Sequence, residues 1–301
     1  MKFEGIIPAL VTPFNSQDEV DYAMVKKLVS ALVREPIGGL FVCGSTGEWW
    51  YLTNEERMKL LEAVLETVAG RLPVMVHVGT LSTRASQTLA RHAERAGASA
   101  ISLLPPIGVN YTAEAIWKHF KAVADTCDLP LYLYHLPQFY GDLITVDKFI
   151  EALDTIPTLA GAKFSSYRVD DLINLKLKAK GRLNLLSGCG EQLLSATVNG
   201  AEGSICTWYN VIPRLAHEIV ACVKRGDIPA ASRYQDLLVE FGMICKENPI
   251  ATVKRMLTHR GYEVGCPRAP MPALSNEGWA KLLPAIQTIG ILDWCIADAA
   301  G

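Results

Sequence analysis

No stretch of this 301-residue chain approaches the roughly 20 apolar residues that a membrane span requires, so none reads as a transmembrane helix. No excess of positive charge is present either. Lysines and arginines number 29 against 31 acidic residues, and the formal charge of −2 leaves no electrostatic footprint for nucleic acid. Met1-Lys2-Phe3-Glu4 leads straight into a strand-like run, so no signal peptide is expected. Cysteines at 43, 127, 189, 206, 222, 245, 266 and 295 form no Cys-x-x-Cys pair, and the six histidines are equally dispersed. Neither a bound metal nor a disulfide framework is therefore expected. Free thiols fit a reducing compartment, and the expectation is a cytoplasmic protein. Also missing are a Pro/Ser-rich linker, a low-complexity segment and any block of like charge. What remains is a chain that is 50% apolar and 20% charged, enough to bury a large core.

The apolar content is arranged with a rhythm. Strand-like runs occur at GIIPALV (5–11), GLFVCG (39–44), PVMVHVG (73–79), AISLLPP (100–106), PLYLYHLP (130–137), LAGAKFSS (159–166), NLLSGCG (184–190) and GSICTWYN (203–210). Helical periodicity fills the intervals. The stretch from Asn54 to Val68 has a cap at Thr53, and the one from Thr83 to Ala96 ends at Gly97. Eight strands alternating with eight helices imply right-handed βαβ units, which predicts a (β/α)8 TIM barrel. An open doubly wound sheet competes, but no GxGxxG follows the first strand. Further helical patterns at roughly 230–245, 249–260 and 275–291 follow the eighth unit. The expected organisation is a barrel over 1–225 and a helical extension over 226–301, packed on it as one structural unit.

In such a barrel the chemistry collects at the C-terminal ends of the strands. Lys163 stands inside the apolar LAGAKFSS run, where a buried charge needs a partner or must be neutralised. A buried lysine is disfavoured in its charged form and becomes an amine nucleophile, the entry to Schiff-base chemistry on a carbonyl. The competing reading is a stem that crosses the core and a head that reaches the strand end. Tyr134 occupies a similar place on the preceding strand, either as a core aromatic or as a proton shuttle beside the amine. Strands lie about 4.8 Å apart, so the two side chains can converge. Ser165 shares the face of Lys163 by period-2 alternation. GSTGE (44–48) follows the second strand, and its backbone N–H groups with the hydroxyls of Ser45 and Thr46 make a compact anion nest, unless it is an ordinary turn. It lacks the GxxxxGK spacing of a phosphate loop and suits a carboxylate. Together these parts describe a 2-oxo acid bound by its carboxylate on Ser45 and Thr46 and condensed with Lys163, with no metal or organic cofactor.

GSTGE (44–48), the Tyr-x-x-Pro of YHLP (134–137) and the GAKFS around Lys163 resemble the motifs of the N-acetylneuraminate lyase/dihydrodipicolinate synthase family. GIIPALVTPF (5–14) and NPIATVKRML (248–257) are similar as well, so the resemblance spans nearly the whole chain. It implies a pyruvate-dependent class I aldolase on a (β/α)8 barrel with extra C-terminal helices, assembled as a homotetramer. It also implies that Lys163 forms the imine, that Tyr134 transfers the proton, and that Ser45 and Thr46 hold the carboxylate. The segment GCGEQLLSATVNGAEGSICTWYN (188–210) is similar to the lyase branch. By that match Gly188, Glu191 and Thr207 contact the sugar-derived chain, and Ser165 binds hydroxyls near the imine.

Three departures shape the expectation. Dihydrodipicolinate synthases usually carry an arginine just after Tyr-x-x-Pro, where this chain has Gln138 and Phe139. Their tyrosine pair after the fourth strand is replaced by Pro106, Ile107 and Gly108, with Tyr111 out of register. The lyases place Asp before the Glu, where this chain has Gly190, which removes an acceptor for polyol hydroxyls. Trp49 and Trp50, next to GSTGE, either stack on a sugar or pack an interface. The expected activity is cleavage of a 4-hydroxy-2-oxo sugar acid to pyruvate and an aldehyde. The alternatives are a 2-keto-3-deoxy sugar acid aldolase or dehydratase, a dihydrodipicolinate synthase, and a barrel that senses an oxo acid without turnover.

Overall fold

A computed structural model describes residues 2–299, apart from the side chains of Phe139 and Asp142. Met1, Ala300 and Gly301, which fall in the expected segments, lie outside the described residues. The chain runs β1 Gly5–Pro8, α1 Tyr22–Leu32, β2 Leu40–Val42, α2 Asn54–Val68, β3 Val74–His77, α3 Thr83–Ala96, β4 Ala100–Leu103 and α4 Ala113–Ala124. It continues β5 Leu131–His135, α5 Val146–Thr155, β6 Leu159–Phe164, α6 Val169–Ala179, β7 Asn184–Ser187, α7 Leu193–Val198, β8 Gly203–Cys206 and α8 Pro213–Arg225. Three further helices follow, α9 Ile228–Cys245, α10 Pro249–His259 and α11 Asn276–Thr288. All eight strands are parallel and in sequence order around one sheet. The two edges meet where Leu10 N–H donates to Phe41 O at 2.9 Å and Gly38 N–H to Ile6 O at 2.8 Å. The (β/α)8 barrel read from the alternation is the fold.

Local sequence sets these elements. Thr53 and Glu56 form a reciprocal capping box at the start of α2, and Gly97 ends α3 in the left-handed region at φ 88°. Along β5, Leu131 and Leu133 face the helices, whereas Tyr132 and Tyr134 face the barrel interior. The strands are shorter than their apolar runs because the last residues of each run turn to build the mouth. Residues 207–210 of the eighth run form a 3-10 turn. Asn210 fixes that turn: its Nδ2 donates to Thr207 O at 2.8 Å and Ala9 O at 2.7 Å, and its Oδ1 accepts from Val11 N–H at 3.1 Å. The ends of β1 and β8 are thereby tied together.

The helices after the barrel reach the same mouth. In α9, Gln235 Nε2 donates to Gly190 O at 3.2 Å while its Oε1 accepts from Leu194 N–H at 2.8 Å, which pins the turn after β7. In α10, Lys254 reaches the loop after β2. None of the eight cysteines is in a disulfide, and no helix among the described residues is long and apolar enough to cross a membrane.

Candidate active site

The ladder between β5 and β6 places Tyr134 opposite Lys163, as the strand-end counting predicts. Lys163 is buried, and its Nζ lies 3.8 Å from the centre of the Tyr134 ring and 4.5 Å from that of Phe41. The amine meets ring faces, not the Tyr134 hydroxyl. No ion pair or hydrogen bond engages Nζ among the described residues, so no carboxylate competes with an incoming carbonyl. The Tyr134 hydroxyl points instead to Ser45 Oγ at 3.5 Å, the outer limit of an O–H···O contact. Phe41 and His77, both absent from the sequence-based site, pack edge-on against Tyr134 with ring centres 6.1 and 6.2 Å away. Burial holds the His77 imidazole well below its ordinary pKa, so it stays neutral, and its Nε2 accepts from Leu104 N–H at 3.3 Å. The signal for His77 was present: it shares the parity of Met75, which faces the interior.

The GSTGE loop lies across the mouth from this pair. The main-chain N–H groups of Ser45 and Thr46 make no hydrogen bond among the described residues and remain available as donors. Thr46 Oγ1 lies 2.7 Å from Thr207 Oγ1, so two residues assigned to opposite ends of a substrate share one hydroxyl contact. Thr12 Oγ1, in the segment after β1, donates to Gly47 O at 2.7 Å and anchors the loop.

On the other side of Lys163 the site is tightly packed. Gly188 donates its N–H to Phe164 O at 2.7 Å, and a Cβ built there would stand 1.8 Å from Ser165 Oγ. Only glycine leaves space for that hydroxyl, which is buried and has no hydrogen-bond partner among the described residues. Glu191 lies beside the indole of Trp208. Its Oε1 accepts from Trp208 Nε1 at 2.9 Å. At Gly190 a Cβ would lie 2.9 Å from Cys206 Sγ and 3.4 Å from Trp208 Cδ1, so a side chain there would require Cys206 to shift.

Other side chains pack around these groups. Trp49 is buried, with Trp50 and His77 each at 5.2 Å between ring centres and the Arg57 guanidinium over its face at 5.6 Å. Gln138 Nε2 donates to Ser165 O at 3.3 Å. Tyr111 lines a cavity of ≈ 450 Å³ with Gln138 and Tyr140, between the loops after β4 and β5. His135 stacks on Phe164 at 4.4 Å. The Tyr140 hydroxyl accepts from Leu136 N–H at 2.7 Å, which leaves its proton for His135 Nδ1 at 2.9 Å. Burial pushes His135 down to about 4, as it does the buried His119. The unfolded chain, with ordinary histidines near 6.5, therefore binds more protons than the folded one between about 6.5 and about 4. Stability should be complete above that window and fall as pH drops through it, by on the order of 3 kcal/mol per histidine. Denaturant unfolding at stepped pH measures the loss, and a His135→Phe variant should flatten the slope.

A buried lysine at the end of a barrel strand, backed by a tyrosine and facing a hydroxyl-bearing loop, defines a class: lysine-dependent aldolases on a (β/α)8 scaffold. The chain belongs to the dihydrodipicolinate synthetase family, whose sequence profile matches residues 2–289. It is 33% identical over 295 residues to the N-acetylneuraminate lyase of Mediterraneibacter gnavus, covering 96% of this chain and 93% of that protein. It is 28% identical over 295 residues to the 4-hydroxy-tetrahydrodipicolinate synthase of Lachnoclostridium phytofermentans, covering 96% and 99%. A solved structure of the Ruminococcus gnavus sialic acid aldolase, a catalytic lysine mutant, matches with a TM-score of 0.92 at 31% identity over 97% of both chains. The family read from the three motifs is thus the family to which the chain belongs, and the protein is an enzyme of the carbon–carbon lyase class. Among the described residues no group of three or more His, Cys, Asp or Glu side chains is placed to hold a metal ion.

Proposed function

We propose that the enzyme cleaves a 4-hydroxy-2-oxo sugar acid reversibly to pyruvate and an aldehyde through an imine on Lys163. The observation that carries this reading is the buried Nζ lying 3.8 Å over the Tyr134 ring, unpaired with any carboxylate, while the Tyr134 hydroxyl faces Ser45. Nζ attacks the C2 carbonyl and water leaves, giving a protonated imine. As the C3–C4 bond breaks, its electron pair moves toward the iminium nitrogen, the C4 hydroxyl gives up its proton, and an aldehyde departs. The enamine left behind takes a proton at C3. Hydrolysis then returns the water, frees pyruvate and restores the lysine. Tyr134 moves the proton, while Ser45, Thr46 and their N–H groups hold the carboxylate.

For the other half of the substrate, the orphaned hydroxyl of Ser165 suits a substrate hydroxyl near the imine, and Gly188 keeps the space in front of it open. Glu191, beside Trp208, and Thr207, against Thr46, are the further groups read as contacting the sugar-derived chain. A shorter 2-keto-3-deoxy sugar acid competes with sialic acid as substrate: Gly190 offers no carboxylate, and Glu191 Oε1 accepts from Trp208 Nε1. A site with fewer acceptors binds a long polyol less well. We read residues 226–301 as an extension that supports this site and not as a second catalytic unit. The family resemblance further suggests a homotetramer, and the free thiols suit the cytoplasm. Pyruvate release should be assayed across N-acetylneuraminate, shorter 2-keto-3-deoxy sugar acids and 4-hydroxy-2-oxo acids lacking a polyol. At least one is expected to turn over. Silence from the whole panel, with no pyruvate adduct on reduction, would leave a sensor that binds without turnover.

A further inference from the structure

The loop that carries Ser45 and Thr46 is bracketed by two non-glycine residues in the left-handed region, Cys43 at φ 56° and Glu48 at φ 60°. Such a conformation is strained for a residue with a Cβ and persists only where its surroundings impose it. The surroundings here come from the far end of the chain. Glu48 Oε1 lies 2.6 Å from Lys254 Nζ, with the two side chains 0% and 1% exposed. Glu48 Oε2 accepts from Arg268 N–H at 2.7 Å, and Lys254 Nζ donates to Cys266 O at 3.0 Å. The Phe14 ring lies beneath both cations, 4.3 Å from Lys254 Nζ and 4.4 Å from the Arg268 guanidinium. Burial opposes both charges, pushing the Glu48 carboxyl up and the Lys254 ammonium down, and each partner's charge offsets part of that for the other. A buried pair of this kind is a poor source of stability compared with apolar packing, so its presence calls for another role.

We propose that the Glu48–Lys254 pair is a strut that sets the geometry of the carboxylate-binding loop, which makes both of them positioning residues for the 2-oxo acid. This rests on the aldolase reading above. Glu48 N–H donates to Ser45 O at 3.0 Å, so the residue held by the strut closes the very turn that presents Ser45 and Thr46. A loop displaced by a fraction of an ångström keeps its residues and loses their alignment with the carboxylate. The extension beyond α8 therefore belongs to the site, although none of its side chains need touch the substrate.

The test separates alignment from stability. Pyruvate is trapped on the full-length protein with borohydride, and adduct is followed against pyruvate concentration. Lys254→Met should raise the half-saturating pyruvate roughly tenfold while trapping at saturation stays within about twofold. The double variant Glu48→Gln/Lys254→Met removes both buried charges and should regain thermal stability, yet its half-saturation should stay raised. It also carries the test if the single variant does not fold. Ile286→Ala in α11, which loosens the core away from the loop, should lower stability and leave half-saturation unchanged. A double variant that traps pyruvate with unaltered half-saturation overturns the strut. Failure of the unmodified enzyme to trap pyruvate at any concentration overturns the aldolase reading and the strut with it.

Discussion

Lys163→Ala is expected to abolish pyruvate release, by roughly 10⁴-fold or more, and to remove the borohydride-stable pyruvate adduct seen on the unmodified chain. The size follows from the role, because among the described residues no second amine is held over the Tyr134 and Phe41 rings to take over as nucleophile. The fold should survive. Breaking a buried ion pair is costly because it strands a partner, and Lys163 has no ion-pair partner among the described residues. What is left is a space in the barrel interior beside two aromatic rings. Lys163→Met fills most of it and should be at least as stable as the alanine variant while equally inactive. Mass spectrometry of the reduced complex, with circular dichroism as the control for folding, makes the distinction. A folded Lys163→Ala variant that still releases pyruvate at a comparable rate would falsify the imine mechanism.

Tyr134→Phe should dissociate two steps that Lys163→Ala loses together. The substitution leaves the ring under Nζ and its edge contacts with Phe41 and His77, so the amine keeps its surroundings and the imine should still form. It removes the hydroxyl that faces Ser45, and with it the group that moves the proton, at an expected cost of about 10²–10⁴ in turnover. Because the lost contact is already 3.5 Å long, stability should change by less than about 1 kcal/mol. Single-turnover trapping with pyruvate and steady-state release from the preferred substrate report the two steps separately. Near-normal turnover in this variant would reduce Tyr134 to a packing residue.

The barrel was legible because its signal is local and repeated. Each strand announces itself by an apolar run, each helix by periodicity and a cap, and the count of eight does the rest. The pairing of Lys163 with Tyr134 was legible for the same reason, since distance to the strand end fixes position across neighbouring strands. Contacts that cross the chain left no such trace. Nothing near Glu48 indicates Lys254, and no periodicity couples Thr46 to Thr207 or Glu191 to Trp208. Glycine at 190 reads in sequence as a lost carboxylate. The packing of Cys206 against it adds that a side chain there would require Cys206 to shift. Trp49 beside GSTGE invites a surface role, but its burial against His77 and Arg57 makes it part of the wall behind the site.

The bond from Arg268 N–H to the Glu48 carboxylate spans 220 residues of chain. Contacts of such long range form late, because the closure of a long loop comes before any reward from the contact itself. During synthesis the strand–helix units can begin to pack as they emerge, but the turn bearing Ser45 and Thr46 cannot be locked until residue 268 has left the ribosome. A nascent chain stalled short of that point would hold a nearly finished barrel with an unset mouth. The loop that carries Ser45 and Thr46 thus makes these contacts only with residues synthesised after all eight strands.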